Sequence, residues 1–512
     1  MESPALKIIL RAICLAAQAV QQNLFLVMND DIIIPQDGRK RPRPRQVMRP
    51  SYENSPWGRM LREEAADLLI PTSTAALLFR RRFRLPFPLF EMLMIDTRKW
   101  QCNASTHDVA GRQAIPLELK VLGVLRILGR GSCLDGITEL SSISESTMHN
   151  FLHSFTSWFR AEMYPRMVTQ PKSYSELEIA MGPYCALGLN GAIGSMDVVH
   201  IPWGRCPKKL KILHTGKEGY PTIAYNCTGL HDGSFSFCTP GSYGSCNDKT
   251  IVRFDSYIDL LRTYELYTTM KYSLINGMGE LEWNEGVYVI TGKKFMSFVI
   301  YIHHLPSSHQ EPFVFNFSDG GYHRWATTMS ATRHNPNPEF ILWREQMESV
   351  RKDIECMFGV LKGRFRIFKT PCMFHKKEDI DNLFFTCVGL HNMLHAWDRR
   401  NEWECGVKWG GKDGEFDEAG DNWGLPKRRQ PDGSYVTVTA NDDFSRFGRL
   451  EFGENQIPHM NNHHFGENYD LDIHNLIDMQ TETDLKFHIL QRKLVKNYSM
   501  RKKDGTTIWL RS

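Results

Sequence analysis

With 512 residues, 42% of them hydrophobic, the chain can bury more than one core, and its length predicts roughly two to four domains. A formal net charge of +4 is too small to mark the whole chain as a nucleic-acid binder, so any basic surface has to be local. Twelve cysteines without a C-x-x-C pair or a Cys/His cluster at zinc-finger spacing argue against a structural zinc module.

The apolar stretch 8–28 is broken by Arg11, Gln18, Gln21, Gln22 and Asn23, so it lacks the run that a membrane span needs, and no small-residue cleavage site follows it. No membrane partner is expected. Residues 1–56 read as a basic N-terminal extension. Arg39, Lys40, Arg41, Arg43 and Arg45 alternate with prolines and would repel one another on one folded face. They suit a nuclear-import signal or a phosphate-contacting arm, with a solvated linker as the equal alternative. The expected location is the nucleus.

Residues 57–175 read as helical. Pro116 suits a first turn before Leu117, Leu119, Val121, Leu122, Leu125 and Leu128, and Gly129 and Gly131 end that run. After a short apolar segment at 134–140, Ser142-Ile-Ser-Glu145 offers a capping box ahead of Met148, Phe151, Leu152 and Phe155. Two helices joined by a tight polar turn suit a DNA-binding helix-turn-helix or an ordinary bundle, and both readings stay open.

After residue 190 the texture turns to strands at 192–202, 220–228, 235–239 and 286–291, with a hairpin turn at His231-Asp-Gly-Ser234 and helical sequence over 248–267. Met347, Val350, Ile354, Phe358 and Leu361 mark one face of a helix over 339–361, and 380–397 is another. The expected class is α/β, a mixed central sheet flanked by helices over 190–397, preceded by the helical region. Residues 398–512 form a polar C-terminal tail with a helix expected at 485–495.

Three carboxylates stand in informative surroundings: Asp197 in Gly194-Ser-Met-Asp197-Val-Val-His200, Asp319 in Ser318-Asp319-Gly-Gly-Tyr322, and Glu355 in Val350-Arg-Lys-Asp-Ile-Glu355-Cys-Met-Phe358-Gly. Singly, each suits a strand acid, a turn former or a solvated helix residue. Together they suit Mg²⁺ or Mn²⁺, which prefer oxygen ligands and let substrate phosphate complete the shell. Two such ions can serve one in-line displacement at phosphorus. Lys362, Arg364, Arg366 and Lys369 follow the third acid and could contact DNA phosphates, with Phe365 and Phe368 packed beneath, or form a solvated helix end.

Taken with Leu213-His-Thr-Gly-Lys-Glu-Gly-Tyr-Pro-Thr222, Pro240-Gly241, Asn247-Asp248-Lys249 and the run from Glu348 to Arg366, these motifs resemble the Harbinger-like branch of DDE transposases over about 57–397. The resemblance implies an RNase H-like catalytic domain with Asp197, Asp319 and Glu355 as catalytic metal ligands and Asp248 in support. It also implies DNA cleavage and strand transfer at element ends with two divalent ions, and a separate Myb-like DNA-binding partner. Association of several copies of the chain is compatible with it.

One departure stands out. The family pattern runs the fourth strand straight into its acid, whereas here residues 292–318 intervene between Thr291 and Asp319. That segment is too apolar for a polar loop and long for a compact domain. Gly292-Lys293 and Phe317-Ser318-Asp319 can be encoded with splice-donor-like and splice-acceptor-like sequences, so a translated intron and a true insertion are both open. The alternative to an active nuclease is a catalytically impaired, transposase-derived DNA-binding protein.

Overall fold

The computed structural model describes residues 51–102, 107, 114–291, 298–300, 313–315, 325–330, 336–398, 427–429, 435–437 and 473–507. The helical region contains α1 (Pro56–Glu63), α2 (Thr74–Phe83), α3 (Phe87–Trp100), α4 (Leu117–Arg130), α5 (Leu134–Ser141) and α6 (Glu145–Trp158). Helix α4 starts after Pro116 and stops at Gly131, whose φ of 64° is the left-handed conformation that glycine adopts without steric cost. The capping differs from expectation. Ser142 closes α5 at φ 60°, and Ser144 caps α6 by accepting from the Thr147 amide at 3.4 Å. The apolar segment at 134–140 is itself a helix, because its three-to-four spacing lets Ile137 reach the core.

The sheet is built from β1 (Ala192–Pro202), β2 (Thr222–Gly229), β3 (Phe235–Cys238), β4 (Ser242–Tyr243), β7 (Tyr288–Thr291) and β10 (Thr328–Met329). Among the described residues its order is β10-β7-β1-β2-β3, with β4 also paired to β2. β1, β2 and β3 are antiparallel neighbours, whereas β1, β7 and β10 are parallel. The architecture is therefore mixed α/β, as the alternation of strand and helix texture predicts.

Odd and even residues of β1 serve opposite faces. Val199 and Ile201 join a core with Ile354, Met357 and Phe358 of α10 (Pro338–Arg364) and Phe384 and Val388 of α11 (Lys377–Trp397). The same core contains Phe79, Leu122, Leu128 and Phe155, so the helical region and the sheet are not separately buried. On the other face, Met196 packs with Leu177 of α7 (Tyr174–Ala186) and Tyr257 and Leu261 of α9 (Ser256–Thr263). The helical stretch expected over 248–267 is broken, with α8 (Asp248–Arg253) ending before α9, because Asp255 caps α9 through the amides of Tyr257 and Ile258.

The N-terminal half of α10 lies in a further core with Trp343, Met347 and Val350. The helix expected over 485–495 is α12, Ile473–Lys503, and its Phe487, Leu494 and Tyr498 complete that core. The hairpin of β5 (Lys271–Ile275) and β6 (Leu281–Glu285) contributes Tyr272 and Leu274 to it. Within 292–318, β8 (Phe298–Ile300) and β9 (Phe313–Phe315) pair with each other antiparallel and, among the described residues, not with the central sheet. Among the described residues no helix is long and apolar enough to cross a membrane.

Candidate active site

Asp197 lies in the middle of β1, in the register position opposite Cys227 of β2. Its Oδ1 accepts from the Val198 amide at 2.8 Å, leaving Oδ2 turned toward α10. That helix is fixed on the sheet by two close approaches. A Cβ on Gly229 would meet Met357 Sδ at 2.4 Å, so a larger residue there would displace the Met357 side chain that packs α10 on β2. Ser195 Oγ, one turn of the pleat from Asp197, donates to the Val350 carbonyl at 3.4 Å.

This packing brings Asp197 and Glu355 to one cation. Arg351 Nη1 is 2.7 Å from Glu355 Oε1 and 3.7 Å from Asp197 Oδ2, while its Nε donates to Glu348 Oε2 at 2.8 Å. The Asp197 and Glu355 oxygens can be no further apart than those first two distances together. Arg351 is only 13% exposed and Asp197 18%, whereas Glu355, at 49%, opens to solvent at the rim. Burial alone would lower the Arg351 pKa, but hydrogen bonds and charge from Glu348 and Glu355 outweigh it and hold the guanidinium well above its ordinary value.

Two hard oxygen donors that already share a cationic partner suit a divalent ion in chemical type. Among the described residues no cluster of three or more His, Cys, Asp or Glu side chains is placed to hold a metal. Asp319, the expected third ligand, lies outside the described residues. Asp248 is the first residue of α8, 8% exposed after the Asn247 cap, and Ile251 of the same helix packs on Val198, which β1 turns to the face opposite Asp197.

The expected phosphate contacts divide into different environments. Arg364 is 2% exposed and donates to the His391 carbonyl at 3.3 Å, a core tie between α10 and α11 rather than a surface cation. Lys362 Nζ donates to the His200 carbonyl at 3.3 Å, and burial lowers its pKa. Arg366 is half-buried and Lys369 exposed, on the short 3₁₀ turn after α10, with Phe365 and Phe368 buried beneath as expected. Arg39, Lys40 and Arg41 lie outside the described residues.

Sequence reading passed over Arg351, although its i to i+4 spacing from Glu355 was a legible signal. It also missed a clamp behind the site. His231 Nδ1 lies 2.6 Å from Asp353 Oδ2, with both side chains largely buried, and His395 Nε2 lies 2.7 Å from the Asp232 carbonyl. Burial raises the Asp353 pKa against the lowering influence of His231. The β2–β3 turn is thus bound to both α10 and α11. Partners separated by more than a hundred residues leave no sequence signal.

Comparison with known proteins bears on the second half of the chain. No curated protein matches it, and no solved structure does. Residues 302–402, a stretch that includes Asp319, Arg351 and Glu355, match the family model for plant transposon proteins, which supports a transposase-related origin.

Proposed function

We propose that this chain is a transposase-type, divalent-metal-dependent DNA endonuclease of the Harbinger-like DDE kind, with an RNase H-like catalytic domain. The observation that carries the reading is the convergence of Asp197, from a central strand, and Glu355, from the helix covering it, on a single guanidinium. The three antiparallel strands continued by two parallel ones, with helices on both faces, support the domain assignment. The transposon-family likeness of 302–402 supports the reaction class.

In this reading Asp197 and Glu355 hold Mg²⁺ or Mn²⁺, with Asp319 as third ligand and Asp248 in support. Bound there, the ions would activate the attacking oxygen and steady the leaving one. The chain's own contribution is positional. The Val198 amide fixes the Asp197 carboxylate, the Ser195 hydroxyl ties α10 to β1, and the His231–Asp353 clamp holds that helix to the β2–β3 turn. Errors of about 1 Å in such a site can cost on the order of 100-fold in rate. The substrate is DNA at element ends, in the nucleus, with a Myb-like protein supplying sequence recognition.

The insertion favours a second reading, a non-catalytic DNA-binding descendant, because it separates Thr291 from Asp319. Cleavage of a duplex carrying the element's terminal repeats, with Mg²⁺ or Mn²⁺, decides between them. The nuclease reading expects cutting that Asp197→Asn abolishes. Cutting that survives this change would refute the site, and no cutting by any form of the chain would leave the scaffold reading.

A further inference from the structure

Gly359 lies one turn beyond Glu355, in the interior of the 27-residue α10, where glycine weakens a helix relative to alanine. Neither packing nor conformation calls for it. Among the described residues a Cβ there would meet nothing within 4 Å, and its backbone is ordinary helix rather than left-handed. Gly389 of α11, by contrast, makes room for Phe159, whose ring a Cβ would meet at 2.7 Å. Glu355, Cys356 and Gly359 are all exposed, so the helix presents bare backbone to solvent beside the carboxylate. That suits a ligand which has to come close to the helix.

Lys362 carries the same stripe onward to the β1–β2 connection at 203–221. Its Nζ donates to the His200 carbonyl at 3.3 Å, and burial lowers its pKa while Glu218 of the connection opposes that. The connection in turn runs against the segment after α10. Trp203 bridges Cys372 in parallel, the Gly204 amide donates to the Cys372 carbonyl at 2.9 Å, and Trp203 Nε1 donates to the Phe374 carbonyl at 2.8 Å. Arg205 Nη1 lies 3.5 Å from His375 Nε2. The joined segments expose Arg205, Lys208, Lys209, Lys211, Lys369 and Lys376.

Lysines on a connection ordinarily mark no more than a solvated surface. Here two segments far apart in sequence are bound together by their backbones, and neither 203–211 nor 366–377 contains an Asp or Glu. Among the described residues none of the six side chains forms an ion pair, and Glu218, the nearest acid after 211 along the connection, is 3.7 Å from Lys217. Like charges gathered without a counter-charge repel one another, so the surface is complementary to a polyanion.

We propose that the backbone of duplex DNA passes over Gly359 and onto the surface of Arg205, Lys208, Lys209, Lys211, Lys369 and Lys376. From Glu355 to Arg364 the helix axis advances about 14 Å at about 1.5 Å per residue. A duplex carries about eight charges over that length, at about one per 1.7 Å, whereas a small anion reaches only one end. A flexible acidic peptide could detour around a side chain at 359, but a duplex, stiff over about 150 base pairs, cannot. Phosphate contacts of this kind position a duplex without reading its bases. The proposal deepens the nuclease reading and rests on it for where the cut falls, though not for binding.

The test is equilibrium binding of the full chain to duplexes of unrelated sequence in EDTA, as a function of salt. Lys208→Gln, Lys369→Gln and Lys376→Gln should each reduce the slope of log K against log salt by about 0.9 in magnitude, equally for every sequence. Lys271→Gln, which removes a partner of Glu285 on the β5–β6 hairpin, should leave the slope unchanged. Gly359→Leu should raise the unfolding midpoint, because it removes a mid-helix glycine, and still weaken duplex binding at least tenfold. A glycine with a purely structural role cannot give that pair of results. Asp197→Asn should abolish cleavage in Mg²⁺ without weakening binding in EDTA, so failure of the nuclease reading is distinguishable from failure of this one. Wild-type slopes in the three lysine variants, or wild-type duplex affinity in Gly359→Leu, would overturn the proposal. So would tighter binding of polyglutamate than of duplex at equal charge, which would make the occupant an acidic protein.

Discussion

Thr291, the last residue of β7, is the parallel partner of Met196, so the chain leaves the sheet beside Asp197. Neighbouring strands lie about 4.8 Å apart, and a carboxylate placed directly after Thr291 would therefore face Asp197 across one strand spacing. In this sequence Asp319 comes 27 residues later than that. Removing 292–318 is expected to increase metal-dependent cleavage by the chain at least tenfold without lowering its unfolding temperature, since among the described residues β8 and β9 pair with each other and not with the central sheet. An unchanged or lower cleavage rate in a folded deletion variant would count against the insertion as the obstacle. Transcript sequencing tests its origin directly: a message lacking the 81 nucleotides would identify an intron.

Arg351 sits where a cation between Asp197 and Glu355 has to sit. Arg351→Gln removes the tethered charge and leaves the two carboxylates facing each other. Its unfolding temperature without metal should fall, and the increment on adding Mn²⁺ should exceed that of the wild type, because the ion binds the folded state alone. An equal or smaller increment would show that the guanidinium does not share the ion's position.

The His231–Asp353 pair ties the β2–β3 turn to α10. His231→Ala leaves a carboxylate largely buried without its partner, and stability should drop by about 3 kcal/mol in denaturant unfolding. A loss below about 1 kcal/mol would show that water reaches Asp353 freely.

Asp255 supplies a pH signature. Burial raises its pKa to about 6, against lowering hydrogen bonds from Asn226, Ile258 and Tyr257. An acid whose folded pKa lies above its unfolded value contributes stability below the unfolded pKa and loses it as pH rises through the folded one. From pH 4 to 6 this group alone should therefore cost about 2 kcal/mol, at no more than about 1.36 kcal/mol per pH unit. Asp255→Asn should flatten that part of the stability profile, since an amide does not titrate and can still accept from the α9 amides. A variant with the wild-type slope between pH 4 and 6 would place the titration elsewhere.

Much of the scaffold was legible from periodicity. The strand around Asp197, the helix around Glu355 and the Pro116 to Gly131 limits of α4 follow from local pattern, because burial of one face imposes its period on the sequence. The arginines at 364 and 366 could not be sorted the same way. They are two residues apart and chemically identical, yet one is held in the core by His391 and the other stands beside α4.

The sequence by itself determined the kinds of element, the likeness to transposon proteins in its second half and the carboxylates worth watching, since these depend on neighbours along the chain. Only the tertiary structure decided that Arg351 joins Asp197 to Glu355, that His231 meets Asp353, and that the lysines of the β1–β2 connection and of the segment after α10 share one surface. These are encounters between segments far apart in sequence. They are set by how a helix lies on a sheet, which no local pattern encodes.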